Sequence, residues 1–537
     1  MKVRSDIMKL SKTMHTWVGI TSGILLFICF FAGGLSMFQH DLSRWGTPQQ
    51  QVLTKIESSQ YNQLIQQVQS QHPATQKAFT LNISSKEFHH APITWTERQS
   101  RDEGFNTTQM AYLASLDEQG HVQVTQENVS KLGWLIEQLH ETAGIPGMAG
   151  HHTLGVYVMG VVAALYFLAL MSGLIILLPT LIKDYFTIRP GKNKKRFWLD
   201  THNVIGISSL PFHLMISITV VVFAFHDYFY DSIRHLAMKG DPPFTRPAAQ
   251  IIEIQQDHID VQKILAKVQQ VAPEYEVQYI QFNGLDDPQK ANARIALYSG
   301  EQLLRGANYD FMSMNPYNVD IYNHQGIHTQ TPNANTFVHT LFSLHFGSYG
   351  GYSVRWIYLI LGLGGAFLFY SGNLLWVETR ARKQKRLQDP LPTQRKDVVF
   401  MANLTIGSCL GCILALSSSM VLGRFAHLAL DVTSMNHLYM YSYYAFFVAA
   451  VLYSFATGYK HALGHLLCAI GISLLLIPMS SLCAYIFPKS GLWYDPHSLA
   501  VDVVAFILSL VFFKFYQNAI KRGRNAEVGS LWSFKKA

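Results

Sequence analysis

Charge is scarce in this chain. Only 14% of its 537 residues are Asp, Glu, Lys or Arg, against 49% hydrophobic, and the charges gather in short blocks. That balance reads as a polytopic membrane protein with soluble insertions. Cysteine is scarcer still: Cys29, Cys409, Cys412, Cys468 and Cys483 are the complete set, and all lie in apolar stretches. A disulfide framework in the polar parts is therefore excluded. Cys409-Leu-Gly-Cys412 has the spacing of a redox motif, but at lipid depth it reads as small-residue helix packing.

What the chain has in quantity is long apolar runs. About 20 such residues cross a bilayer, and the sequence predicts eight spans, at roughly 16–38, 154–178, 203–225, 354–376, 400–422, 438–457, 462–487 and 498–516. The first is longer than a signal-peptide core and lacks a small-x-small cleavage site, so it reads as an uncleaved anchor. Basic residues orient the spans. Lys2, Arg4, Lys9 and Lys12 precede the first, Lys183, Arg189 and Lys192–Arg196 separate the second and third, Arg380–Arg386 with Arg395 and Lys396 separate the fourth and fifth, and Lys521, Arg522 and Arg524 follow the last. With an even number of spans all these blocks share one side, and both termini are expected in the cytoplasm. The net charge of +8 is then a topology signal, and nucleic acid is not an expected partner.

The predicted organisation is a first span (1–40), an external insertion (41–139), spans two and three with a basic cytoplasmic loop (140–226), a second insertion (227–335), the fourth span (336–380), a basic linker (381–397), four additional spans (398–520) and a cytoplasmic tail (521–537). The insertions follow one pattern. Each opens with an amphipathic helix, Tyr61–Ser70 or Val261–Gln270, closed by Pro73 or Pro273. Alternating strands follow, Ala78–Ile83 and Val277–Phe282, and Asp117-Glu-Gln-Gly120 marks a hairpin between Tyr112–Ser115 and Val122–Val124. Each insertion is thus expected to be a small α+β module. The first 380 residues read as a helix–module–helix unit used twice.

Histidines keep register with that repeat. His15 opens the first span and His202 the third, while His140 and His345 stand just before the second and fourth. Gly19 and Gly206 each follow their histidine by four residues, on the same helix face, where a flat cofactor could lie against backbone. One imidazole from each half at each membrane face is what six-coordinate haem iron requires, which gives His15 with His202 and His140 with His345, the latter with Gly144 and Gly347 in a looser supporting part. Two b-type haems are expected, held non-covalently because no Cys-x-x-Cys-His occurs. Competing ligands are His213, eleven residues or about three turns beyond His202 on the same helix face and near mid-membrane, together with His151, His152 and His339. His324 with His328, and His89-His90, read as solvated surface. His461 and His465 read as an interfacial cap. For Asp502 the sequence leaves open a proton or donor-site role and a place at the external interface.

The arrangement over about residues 8–380 resembles the PepSY-associated transmembrane family, the iron-regulated membrane proteins that include ferric-siderophore reductases of bacterial inner membranes. The resemblance rests on His15-x-Trp17-x-Gly19, on Leu139-His140 before Gly144-Ile-Pro-Gly147, on Trp198-Leu-Asp200-Thr-His202-Asn-Val-Ile-Gly206, on Leu344-His345-Phe-Gly-Ser-Tyr-Gly350-Gly351, and on Ser172-Gly173 and Ser371-Gly372 ending spans two and four. It implies PepSY-like external modules and a haem-dependent inner-membrane reductase that passes electrons to a periplasmic ferric siderophore and releases Fe(II). Some relatives carry a fused flavin reductase. This chain shows none, which implies a separate cytoplasmic reductase or a quinol as donor. The resemblance assigns no role to spans five to eight. Two other readings are a siderophore or iron permease, and a non-catalytic regulatory protein whose modules bind peptide.

Overall fold

The computed structural model describes residues 3–48, 53–84, 91–96, 110–127, 129–150, 152–185, 187–189, 194–236, 258–323, 327, 333–382, 384, 390–430 and 435–535. The chain divides into two compact units. The helical unit comprises Met1–Gly46, Lys131–His226 and Tyr358–Ala537, and the sheet unit comprises Thr47–Ser130 and Asp227–Ile357.

In chain order the helices are α1 (Ser5–Ser36), α2 (Gln39–Trp45), α3 (Tyr61–Gln71), α4 (Leu132–Thr142), α5 (Leu154–Leu177), α6 (Leu181–Asp184), α7 (Lys194–Ser208), α8 (Leu210–Ala224), α9 (His226–Leu236), α10 (Val261–Val271), α11 (Asn333–Phe346), α12 (Gly351–Arg380), α13 (Lys396–Ala426), α14 (Met435–Thr457), α15 (Tyr459–Ile486) and α16 (Leu499–Asn525). The strands are β1 (Ala78–Asn82), β2 (Ile93–Thr96), β3 (Ala111–Leu116), β4 (Val122–Glu127), β5 (Met148–Ala149), β6 (His152–Thr153), β7 (Glu276–Asn283), β8 (Asn292–Tyr298), β9 (Asp310–Met314) and β10 (Ile321–Asn323).

Among the described residues α1, α5, α12, α13, α14, α15 and α16 are each long and apolar enough to cross a membrane. The pair α7–α8 makes an eighth segment, bent by 65°. Where the sequence predicted one helix over 203–225, two helices meet at a break. Pro211 is the cause: it lies in the first turn of α8, has no N–H to give to the preceding turn, and its ring excludes a straight continuation. Ser209 lines the break, its hydroxyl donating to the Ile205 carbonyl at 2.6 Å. The bend also removes the shared helix face expected for His202 and His213. At the other end of the repeat α1 begins at Ser5, so His15 lies inside the helix and not at its edge.

Glycines let these helices approach at backbone distance, as membrane packing without a hydrophobic drive requires. A Cβ on Gly362 of α12 would stand 2.8 Å from the Cα of Gly34 in α1, and one on Gly407 of α13 would stand 2.9 Å from the Cα of Val451 in α14. Cys409 and Cys412 are fully buried free thiols in α13, with the Tyr443 hydroxyl donating to Cys412 Sγ at 3.4 Å. They occupy packing positions.

In the sheet unit the two insertions share one antiparallel sheet of eight strands, ordered β10-β9-β8-β7-β1-β2-β3-β4. Two four-stranded meanders thus meet at their first strands. At that seam Leu81 pairs with Ile280 and Phe79 with Phe282, the two phenyl rings 4.8 Å apart. Leu64, Ile65 and Val68 of α3 and Val261, Ile264 and Val268 of α10 share the same core. Asp260 caps α10 by accepting from Gln262 N and Lys263 N, and Asn62 of α3 accepts from Val261 N at 3.0 Å. In the β3–β4 hairpin Asp117 accepts from the backbone N–H of His121 and of Gln119, bonds that hold its carboxyl below the usual range. Gly120 takes the positive φ of +79° that this turn needs. Because the seam joins segments some two hundred residues apart, Phe282→Ala should cost the sheet unit about 3–5 kcal/mol. Thermal unfolding followed by exchange protection of β1 and β7 measures it, and protection unchanged in both strands would show that the seam carries little of the unit's stability.

Candidate functional site

Three of the four repeated histidines have one ring nitrogen fixed by a protein acceptor. His15 on α1 places Nδ1 2.9 Å from the carbonyl of Ala169 on α5. A carbonyl only accepts, so Nδ1 carries the proton and Nε2 keeps its lone pair. His202 on α7 places Nδ1 3.0 Å from Ser371 Oγ on α12. That hydroxyl donates to the Leu368 carbonyl at 3.1 Å, so its oxygen accepts from His202 and the same tautomer results. His140 on α4 donates Nδ1–H to the carbonyl of Cys29 on α1 at 3.0 Å, with Cys29 Sγ at 3.6 Å. Burial lowers the His140 pKa and the bond to Cys29 partly offsets this, which favours the neutral ring.

Glycine makes room for each ring. A Cβ on Gly173 would stand 3.0 Å from His15 Cε1, one on Gly372 would stand 3.5 Å from His202 Cε1, and one on Gly33 would stand 2.5 Å from His140 Nδ1. The first two close the Ser-Gly pairs that end α5's apolar run and that of α12, so the signal was visible as a motif without its meaning. Gly19 and Gly206 stand in the open: among the described residues no atom lies within 4 Å of a Cβ built on Gly19, and Leu368 alone, at 3.8 Å, approaches one on Gly206. Both leave open backbone beside their histidine, the slot a porphyrin face would need. Gly144 and Gly347, with φ of +77° and +61°, terminate α4 and α11, and that is their structural part.

The remaining candidates separate. His213 on α8 is fully buried, walled by Phe30, Phe212 and Tyr166 with ring centroids 5.4, 5.3 and 6.0 Å away. Neither of its ring nitrogens, nor the Tyr166 hydroxyl, has a hydrogen-bond partner among the described residues. Orphaned polar atoms at that depth are costly and mark a functional candidate. His345 and His339 both lie on α11 in the sheet unit, His339 buried and His345 half-buried beside Phe346. His140 belongs to the helical unit. The backbone of His152 pairs with Ala149 in the short β5–β6 hairpin. His151, His89, His90, His324 and His328 lie outside the described residues.

His461 stacks on Phe534 at 5.1 Å, and His465 Nδ1 meets the Tyr453 hydroxyl at 2.5 Å, so each has a partner of its own. Asp200, in the Trp-Leu-Asp-Thr-His motif, is buried and holds Arg189 at 3.0 Å and Arg196 at 2.9 Å, committing two cations of the basic loop. Asp502 is buried inside the bundle, accepting from Trp45 Nε1 and Ser481 Oγ. Among the described residues no group of three or more His, Cys, Asp and Glu gathers as a metal site. A bis-imidazole haem needs only two such side chains, and the proton-bearing Nδ1 atoms, ring-sized glycine gaps and open backbone at Gly19 fit that group.

Comparison with curated proteins finds none that matches the chain. The family profile described as the PepSY-associated TM region matches residues 13–379, a stretch that holds every one of the repeated histidines and both insertions. The chain is a multi-pass membrane protein and belongs to the PepSY-associated transmembrane family.

Proposed function

We propose that this protein is a haem-dependent reductase of the bacterial inner membrane, carrying electrons outward to a ferric siderophore. We also read its first 380 residues as a duplicated helix–module–helix unit whose modules are PepSY-like. The observation that carries the proposal is the set of three imidazoles, His15, His202 and His140, each with Nδ1–H donated to a fixed acceptor. Iron-ligating histidines are held in this way: the acceptor on Nδ1–H sets the tautomer, orients the ring and raises the basicity of Nε2.

Haem b, when bound, would supply single-electron chemistry at each end of the bundle. The chain's own residues orient and shield it. Ala169 and Ser371 fix the first pair of rings, Gly173 and Gly372 give them room, and the apolar helices exclude water. His140 serves the second site. Its partner is the sequence-predicted His345 or the buried His213, and single alanine variants decide between them by which one removes the same absorption band as His140→Ala. The basic residues around the start of α1, between α6 and α7, after α12 and in the last turns of α16 support a cytoplasmic location for both termini by the positive-inside rule. Electrons then enter from a separate cytoplasmic reductase or a quinol and leave on the external face. There the modules would dock the siderophore, and one electron per Fe(III) gives weakly held Fe(II).

Oriented proteoliposomes test this, with reductant confined inside and a ferric siderophore and Fe(II) chelator outside. Fe(II) should appear outside with inside reductant alone. Appearance only when reductant is also placed outside would end the transmembrane reading. A permease is the second reading, and the broken α7–α8 segment favours it, since transporters build substrate sites at such breaks. Iron accumulating inside sealed vesicles without any reductant would select it. A purely peptide-binding regulatory role leaves the three oriented imidazoles without a task.

A further inference from the structure

We infer that the four added helices, α13–α16, act as a clamp on α2 and α4, with Asn436, Tyr444 and Asp502 as positioning residues for His140. Helix α4 is only 11 residues long and its Lys131 N-cap has no side-chain cap bond. A helix so short does not hold itself in place. Both its ends are held from α14: Lys131 N donates to Asn436 Oδ1 at 2.7 Å, and the Tyr444 hydroxyl donates to the Gly144 carbonyl at 3.1 Å. Its flank rests on α2, where Gly133 N donates to Ser43 Oγ at 3.0 Å and a Cβ on Gly133 would strike the Gln39 carbonyl.

Helix α2 is held in turn by a buried polar network from the added helices. Trp45 Nε1 donates to Asp502 Oδ1 at 3.0 Å, Trp493 Nε1 donates to the Trp45 carbonyl at 2.8 Å, and Arg44 pairs with Asp495 at 2.7 Å. Arg424 lies over the rings of Trp45 and Trp493, 4.4 and 4.9 Å from their centroids. It donates to Ser481 Oγ at 2.7 Å and to the Trp493 carbonyl, while Ser481 donates to Asp502 at 2.9 Å. Charged groups this deep persist only when paired. This pairing reaches across α13, α15, α16 and the α15–α16 connection to α2. Four helices that only filled lipid would need no such bonds. The consequence falls on His140, because α4 carries it against Cys29 and Gly33 of α1.

The clamp itself is independent of the haem reading, and only its effect on a second haem rests on that reading. The test is hydrogen exchange on the full chain in nanodiscs, comparing wild type, Asn436→Ala/Tyr444→Phe and Trp45→Phe. In the double variant the α4 amides should exchange about five- to tenfold faster, the worth of one or two hydrogen bonds, while α3 and α10 stay unchanged. In the same variant the optical band that His140→Ala removes should shift, and the band that His15→Ala removes should not. Unchanged α4 exchange in a folded double variant overturns the inference. If the double variant loses protection throughout α13–α16, Trp45→Phe decides instead: faster exchange confined to α2 and α4 supports the clamp, and no change overturns it. A wild type without haem would sink the haem reading and leave the exchange result standing.

Discussion

His15→Ala and His202→Ala should each abolish one and the same haem absorption and leave any second one in place. Each residue would give Nε2 to the same iron, so loss of either would remove one of the two side chains that hold the group. The fixed acceptors predict a graded companion effect. Ser371→Ala removes the acceptor that orients His202 while leaving the ligand, and loss of such a second-shell partner costs roughly 10–100-fold in affinity. Absorbance spectra of the detergent-purified protein, with extraction of the pigment by acid and organic solvent, read both results. Extractability follows from the absence of any Cys-x-x-Cys-His for covalent attachment. A preparation that stays colourless after growth with ample haem and after added haem would remove the central proposal. Loss of different bands by the two alanine variants would break the pairing and leave each histidine to seek another partner.

Asp502→Ala should be the most damaging single change at the other end of the bundle. It removes the acceptor of both Trp45 and Ser481, and so the carboxylate that Arg424, 1% exposed, reaches through Ser481. Taking one charge out of a buried polar network of this kind typically costs about 3–5 kcal/mol, because the other charge stays buried. Replacing both partners with apolar residues of similar size, as in Arg424→Met/Asp502→Leu, should recover most of that loss by the same argument. Equilibrium denaturation in detergent mixtures, with the intensity of Trp fluorescence as probe, measures the series. An Asp502→Ala variant as stable as wild type would mean that Arg424 finds water at this site and that the network holds little.

Several site features were present in the sequence but not interpretable there. The four histidines and the Ser-Gly pairs could be read as repeated motifs, and the structure brings two of those motifs together as imidazole and ring-sized gap, His15 with Gly173 and His202 with Gly372. Spacing along one helix pointed to Gly19 and Gly206 as open backbone for a flat cofactor and could not show Gly173 or Gly372 beside a ring, because a helix-face argument sees only neighbours on the same helix. Which glycine faces a ring is decided by the helix across from it. His213 shows the same limit: its distance from His202 suggested a common face, and Pro211 bends the chain between them.

By itself the sequence determined the apolar segments, the helix–strand order of the insertions and the hairpin at Asp117–Gly120. These follow from local physics, since hydropathy, periodicity of 2 or 3.6, turn residues and charge act over a few residues or one span. Only the tertiary structure decided that the two insertions share one sheet through Leu81 and Ile280, that α14 holds both ends of α4, and that Asp502 faces inward to Trp45 rather than outward to the interface. Each of these joins residues that local pattern cannot relate. An exposed first strand pairs with whichever strand presents a matching edge, and a buried carboxylate turns to whichever donors close packing brings to it. Those partners lie roughly two hundred to four hundred and fifty residues away along the chain.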